Sequence, residues 1–117
     1  TVGASDGTGT AARFNDPSGL APAGGNGVLV ADRANALIRW VEAGGRVSTV
    51  AGSASFRGAA DGAALSATFS SPAGVARDSS GTVYVTDAMM HTVRRIASNG
   101  EVTTFAGTPG EPGDADG

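Results

Sequence analysis

The chain of 117 residues has no cysteine, few aromatic side chains (5%) and a modest share of charged residues (16%). Without thiols there is no disulfide scaffold, no zinc-thiolate site and no cysteine nucleophile, which leaves the compartment open. No apolar run approaches the roughly 18 residues that a membrane-spanning helix requires, and Thr1 opens no charged-then-apolar leader, so neither anchor nor signal peptide is expected. Thr1 in place of an initiating methionine points to a processed product or an excised piece. Lysine is also missing. All eight basic residues are arginine and eleven acids outnumber them, which argues against the cationic face that a phosphate backbone selects. Nucleic acid is thus not an expected partner, and neither is a membrane.

Glycine and alanine are abundant, yet a hydrophobic share of 40% is too high for a disordered chain. Their distribution reveals a repeat. Asp6-Gly7, Asp61-Gly62 and Asp116-Gly117 recur at a constant spacing of 55 residues. Laying 6–60 over 61–115 without a gap pairs Phe14 with Phe69, Pro17 with Pro72, Gly19 with Gly74, Val28 with Val83, Val30 with Val85, Asp32 with Asp87 and Arg39 with Arg94. Roughly a third of positions coincide, which marks two copies of one unit. The expected repeats are 6–60 and 61–115.

Each copy reads as four short strands joined by tight turns. Ser18–Pro22 and Ala73–Arg77 form the first strand, Gly27–Ala31 and Thr82–Thr86 the second, Leu37–Val41 and Thr92–Ile96 the third, and Val47–Val50 and Val102–Phe105 the fourth. Glycine-bearing turns separate them, and Asn99-Gly100 suits a type I′ hairpin. A long excursion, Ser53–Ser71, leads into the second copy, with one helical turn over Ala63–Ala67 capped by Asp61 and with Phe69 as an apolar peg on the sheet. Phe14 plays the same part in copy one.

The second strands read Val28-Leu29-Val30 and Val83-Tyr84-Val85, apolar at consecutive positions. Successive side chains on a strand point to opposite faces, so both faces of each sheet need cover. Two sheets alone bury one face each and leave two wet. Stacking four-stranded sheets around an axis removes the problem, which is the all-β architecture of a β-propeller. Two blades do not close a ring. Either this is part of a longer chain, or copies assemble, and three copies complete six blades; a homotrimer is the expectation.

The runs Pro72–Asp87, Thr92–Ile96 and Gly100–Gly107, with Pro17–Ala21, Val28–Asp32, Ala36–Arg39 and Val47–Gly52 in copy one, closely resemble the NHL repeat, in an extended subtype of about 55 residues. Copy two departs from the pattern at Met90, where copy one keeps Asn35 before the third strand. The resemblance implies a propeller built for binding, most often to protein. It also brings in a rival, since related six-bladed folds include an amidating lyase and lactonase-like hydrolases with a metal near the axis. One fold hosts many activities, so function must be argued from the site.

In a propeller the fourth-to-first and second-to-third strand loops share one face. Asn15-Asp16 then comes near the axis, and threefold assembly gathers oxygen ligands that suit calcium or another divalent metal; the competing role is that Asp16 caps the turn before Pro17. No other cofactor is expected. His91 is the sole histidine, too few for a zinc enzyme that needs about three protein ligands. Beside it, Met89-Met90 replaces Ala34-Asn35 and offers either an adaptable apolar contact or packing under the loop. Asp32, Asp87, Arg39 and Arg94 recur in both copies and are read as blade architecture, a turn plus an ion pair. Scaffold positions must repeat and recognition positions need not. By that criterion Phe56-Arg57 in the excursion is a recognition candidate, aromatic and arginine residues being prominent in binding hot spots. The expected function is a non-enzymatic scaffold for a protein or small ligand, with the metal-dependent lyase or hydrolase as the rival.

Overall fold

The computed structural model describes residues 6–9, 14–22, 27–53 and 56–107. Most of the glycine-bearing turn expected at Gly24-Gly25-Asn26-Gly27, residues 24–26, and the third Asp-Gly pair lie outside the described residues. The fold is all-β. β1 (Gly7–Thr8), β2 (Pro17–Pro22), β3 (Val28–Asp32), β4 (Leu37–Val41) and β5 (Arg46–Gly52) form one sheet; β6 (Pro72–Arg77), β7 (Val83–Asp87), β8 (Thr92–Ile96) and β9 (Val102–Ala106) form the other. Both are antiparallel meanders, β2 to β5 and β6 to β9 in chain order. No helix among the described residues is long and apolar enough to cross a membrane.

The two sheets repeat even their irregularities. The ladder shifts between Pro17 and Gly19 and again between Pro72 and Gly74, where proline lacks the N–H that a regular ladder uses. A second shift falls at Ile38/Arg39 and at Val93/Arg94.

Three local expectations need correction. The first sheet has five strands rather than four, because Gly7 and Thr8 pair with Val47 and Arg46 at the outer edge. Its counterpart in the second sheet is the single bridge Gly62 to Val102. In each case the Asp-Gly excursion clips onto the outer strand of the blade that follows it in sequence, covering an edge that would otherwise offer unpaired backbone groups. The hairpins are not type I′. Gly45 and Gly100 have φ of 89° and 94°, and Asn99 is not among the positive-φ residues. Glu42 N–H donates to Arg46 O and Gly45 N–H to Glu42 O, a pattern repeated at Ala97, Glu101 and Gly100, so each loop is a type I turn closed by a left-handed glycine. The turn over Ala63–Ala67 does form, since the Ser66 and Ala67 N–H groups donate to Ala63 O. Asp61 does not cap it; its carboxylate accepts from Arg94 Nη2 at 2.9 Å and Thr104 Oγ1 at 3.0 Å.

The blades share one core. Leu29, Ala31, Ala36, Ile38 and Ala51 of the first sheet meet Val83, Val85, Ile96 and Val102 of the second, with Ala67 and Phe69 from the excursion between them. Phe69 is fully buried, the peg expected of it. At the inner strands the backbones nearly touch: a Cβ on Gly19 would stand 2.5 Å from the Ala73 carbonyl oxygen. Ser18 Oγ donates to that same oxygen at 3.2 Å. Small residues at this seam are therefore a packing requirement, and it fixes how the loop ends of the two blades face each other.

Candidate functional site

The loops gather at one end of the blades. Arg33 and Ala34 N–H donate to Asp16 O and Asn15 O, and Ala88 N–H donates to Ser71 O, so each second-to-third strand loop lies against the fourth-to-first loop of its own blade. The aspartate ending each second strand organises this arrangement. Asp32 Oδ1 accepts the Asn15 N–H at 2.8 Å, while its Oδ2 accepts from Asn35 Nδ2 at 2.8 Å and Arg39 Nη1 at 2.9 Å. Asp87 accepts the backbone N–H groups of Ser70, Ser71 and Met90 at 2.7, 2.9 and 3.2 Å.

Below the aspartates lie two fully buried guanidinium groups. Arg39 bridges Asp32 and Asp6, and its guanidinium lies 5.0 Å from the centre of the Phe14 ring. Arg94 donates to Thr68 O, Ala60 O and Asp61, 5.1 Å from the Phe69 ring. A buried cation must be paired and hydrogen-bonded to be tolerated, and these are. They hold the excursions to the sheets, which makes the recurring Asp and Arg residues architectural, as their recurrence implies.

Above this base the exposed residues do not repeat. Asp16 has φ 57°, in the left-handed region. Its carboxylate is 3.9 Å from Arg33 Nε. Arg33 also donates to Ser71 Oγ at 3.2 Å, tying the first blade to the second. Arg57 donates to Ser70 O and Ala34 O, a second tie between the same loops. Phe56 beside it is 70% exposed and Met89 is 64% exposed. Met90 is half-buried and His91 exposed at φ 59°. A hydrogen-bonded path runs from Arg57 through Ser70 to Asp87 and Met90, so Phe56-Arg57 and Met89–His91 belong to one rim.

Asn15 and Asp16 reach that rim too, through the link from Arg33 to Ser71. Within one chain the group beside Asp16 is a guanidinium, not another carboxylate, and among the described residues no three His, Asp or Glu side chains stand together as a metal site. A divalent-ion site here therefore needs donors beyond the described residues of one chain. Sequence reasoning misses Arg33. The criterion that picks out Phe56-Arg57 also fits it, since copy two has Ala88 at the equivalent position.

Antiparallel four-stranded sheets, packed face to face with inner strands at a common seam, are blades of a β-propeller. Residues 69–96, which span β6 to β8 of the second blade, match the NHL repeat. No curated protein matches the chain. Among solved structures, an auxiliary nutrient binding protein from Bacteroides ovatus ATCC 8483 is 28% identical over 91% of this chain and 27% of its own, with a TM-score of 0.71. Another auxiliary nutrient binding protein, from Bacteroides thetaiotaomicron VPI-5482, is 23% identical over 89% of this chain and 26% of its own, with a TM-score of 0.72. The PQQ-bound aldose sugar dehydrogenase of Streptomyces coelicolor is 23% identical over 93% of this chain and 34% of its own, with a TM-score of 0.52. The chain spans about a quarter to a third of the length of these proteins.

Proposed function

We propose that the chain is a non-enzymatic binding module, made of two NHL-type repeats over 6–60 and 61–115, whose loop rim takes up a protein or small ligand. Three copies complete a six-bladed ring. The observation that carries the binding reading is the contrast on the rim: a repeated, buried Asp/Arg base supports side chains that do not repeat, with Phe56 and Met89 exposed above it. Rigid support beneath adaptable apolar contacts is the layout of a recognition surface. The similarity to two nutrient binding proteins supports the same reading.

The test is a screen of immobilised protein against oligosaccharides and peptides, followed by the double variant Phe56→Ala/Met89→Ala. A ligand of the rim should lose at least tenfold in affinity, about 1.4 kcal/mol, with the unfolding midpoint unchanged. Ligands that bind both proteins equally would move the site off the rim. A stoichiometric divalent ion in the purified protein would favour an axial site at Asn15 and Asp16 instead.

A further inference from the structure

The outward side of the second blade carries a hollow of about 290 Å³, walled by Thr86, His91, Thr92, Val93, Ala106 and Gly107. Each of these stands 55 residues after a residue of the first blade: Ala31, Ala36, Leu37, Ile38, Ala51 and Gly52. That earlier set is the wall against which Phe69 is buried. Ala31, Ala36, Ile38 and Ala51 share its core cluster, and a Cβ on Gly52 would come within 3.2 Å of the Phe69 ring and of Leu37.

The backbone of the two walls also agrees. Gly52 and Gly107 have φ of 103° and 89°, and Ala36 and His91 have φ of 58° and 59°. A Cβ on Gly52 would lie 2.6 Å from Ala36 O, and one on Gly107 would lie 2.4 Å from His91 O. The hollow therefore repeats the backbone of the socket that holds an aromatic peg in the first blade.

The chain also holds a second peg. Phe14 precedes Phe69 by 55 residues and stacks on Arg39 as Phe69 stacks on Arg94. Around it, among the described residues, the first blade's front is partly open: Leu20 is 72% exposed and Val28 and Val41 are half-buried, while Val30 and Val47 are buried. The counterparts of Leu20, Val28 and Val41 in the second blade, Val75, Val83 and Ile96, are packed at the junction between the blades. Among the described residues, one chain thus carries an open socket face and a partly open peg face that match in register.

We infer that a second copy of this chain seats its first blade on the outward side of the second blade, with its Phe14 entering the socket between His91 and Gly107. The contact is head-to-tail, the kind that closes rings when the rotation permits. This inference rests on the assembly part of the proposed function and names the contact that makes it. Thr86 replaces Ala31, His91 replaces Ala36 and Thr92 replaces Leu37, so the socket is more polar than its buried model and suits a surface that meets water before assembly. Tyr84 and Phe105, in edge contact with centroids 5.2 Å apart, replace Leu29 and Val50 and supply aromatic area beside it.

Two variants and their mixture test this, with mass followed by sedimentation. Phe14→Ala removes the peg; Ala106→Trp, at an exposed position, fills the socket. Each should weaken self-association at least tenfold while keeping the wild-type circular dichroism spectrum. Mixed in equal amounts they should form a one-to-one dimer, because the Phe14 of the Ala106→Trp chain still meets an open socket on the other. If Phe14→Ala fails to fold, Ala106→Trp alone decides. Wild-type assemblies that survive both substitutions would overturn the socket and leave the ring standing. A wild-type protein that stays monomeric at high concentration would overturn both.

Discussion

The two blades share a four-stranded meander, its ladder shifts and its third-to-fourth strand turn, yet they handle their buried charges differently. In the first, Asp32 and Arg39 form an ion pair with both side chains at 0% exposure, and Asp6 closes the other side of the guanidinium. In the second, Asp87 is held by three backbone N–H groups, and Arg94 pairs with Asp61 as Arg39 does with Asp6. No ion pair joins Asp87 to Arg94 among the described residues. A recurring pair of residues is therefore not a recurring bond. What recurs is the requirement that each buried charge be met, and the neighbouring backbone offers more than one way to meet it.

The blades differ more in what lies on their sides. The outward wall of the first is covered by Phe69 and the second blade, whereas the same wall of the second is open among the described residues. Removal of the covered peg is the largest expected effect. Phe69→Ala should cost about 3–5 kcal/mol, as for a fully buried aromatic. Phe14→Ala, measured by urea denaturation at a concentration too low for assembly, should cost distinctly less because its ring is only half-buried. Equal losses would mean that the two pegs are not in different environments.

A smaller contrast lies at the inner strands. Gly19→Ala would drive its Cβ against the Ala73 carbonyl and to within 3.2 Å of the Gly74 Cα, backbone that does not yield, at a cost of about 1–3 kcal/mol. Gly74→Ala meets only Thr86 Oγ1, at 2.8 Å, and a rotation of that side chain relieves it. The loss there is one hydrogen bond, from Gly74 N–H to Thr86 Oγ1, about 0.5–1.5 kcal/mol. Comparable denaturation midpoints for the two variants would show that the seam does not hold the blades together.

The smallest effect is expected at Asp78, whose place in copy one is taken by Ala23. The Ser80 hydroxyl, with help from the Thr82 and Ser80 N–H groups, holds its carboxyl below the ordinary value of 3.8. A folded-state pKa that is lowered adds stability above the unfolded value, and that stability fades as the pH falls through the lowered value. Asp78→Ala should therefore be slightly less stable than the parent at neutral pH, with the gap closing under acid conditions. A gap that persists unchanged in acid would assign the effect to something other than the carboxylate.

Much of this architecture is legible in the sequence. Strand positions follow from β-branched runs that occur twice at a fixed spacing, and the Phe69 peg follows from its place in the repeat. What escapes has physical causes. Asn99-Gly100 fits either a two-residue or a three-residue hairpin, and the difference lies in the hydrogen bonds at Ala97 and Glu101. Asp61 has the chemistry of a helix cap, but a buried Arg94 outcompetes a single helical turn for its carboxylate. β1 is two residues long, too short for any alternation to register. At the rim, the shared face of the fourth-to-first and second-to-third strand loops puts Phe56-Arg57 and Met89–His91 on one side in the sequence reading, but does not give the hydrogen-bonded path between them. That path runs through Ser70 and Asp87, which pattern reading assigns to other duties.

The most direct test is the mass of the wild-type protein in solution, measured by sedimentation equilibrium over a range of concentrations. Two blades with matching open faces predict a limiting species of three chains, about three times the 11.3 kDa of one. A mass that stays at 11.3 kDa at every concentration would contradict it.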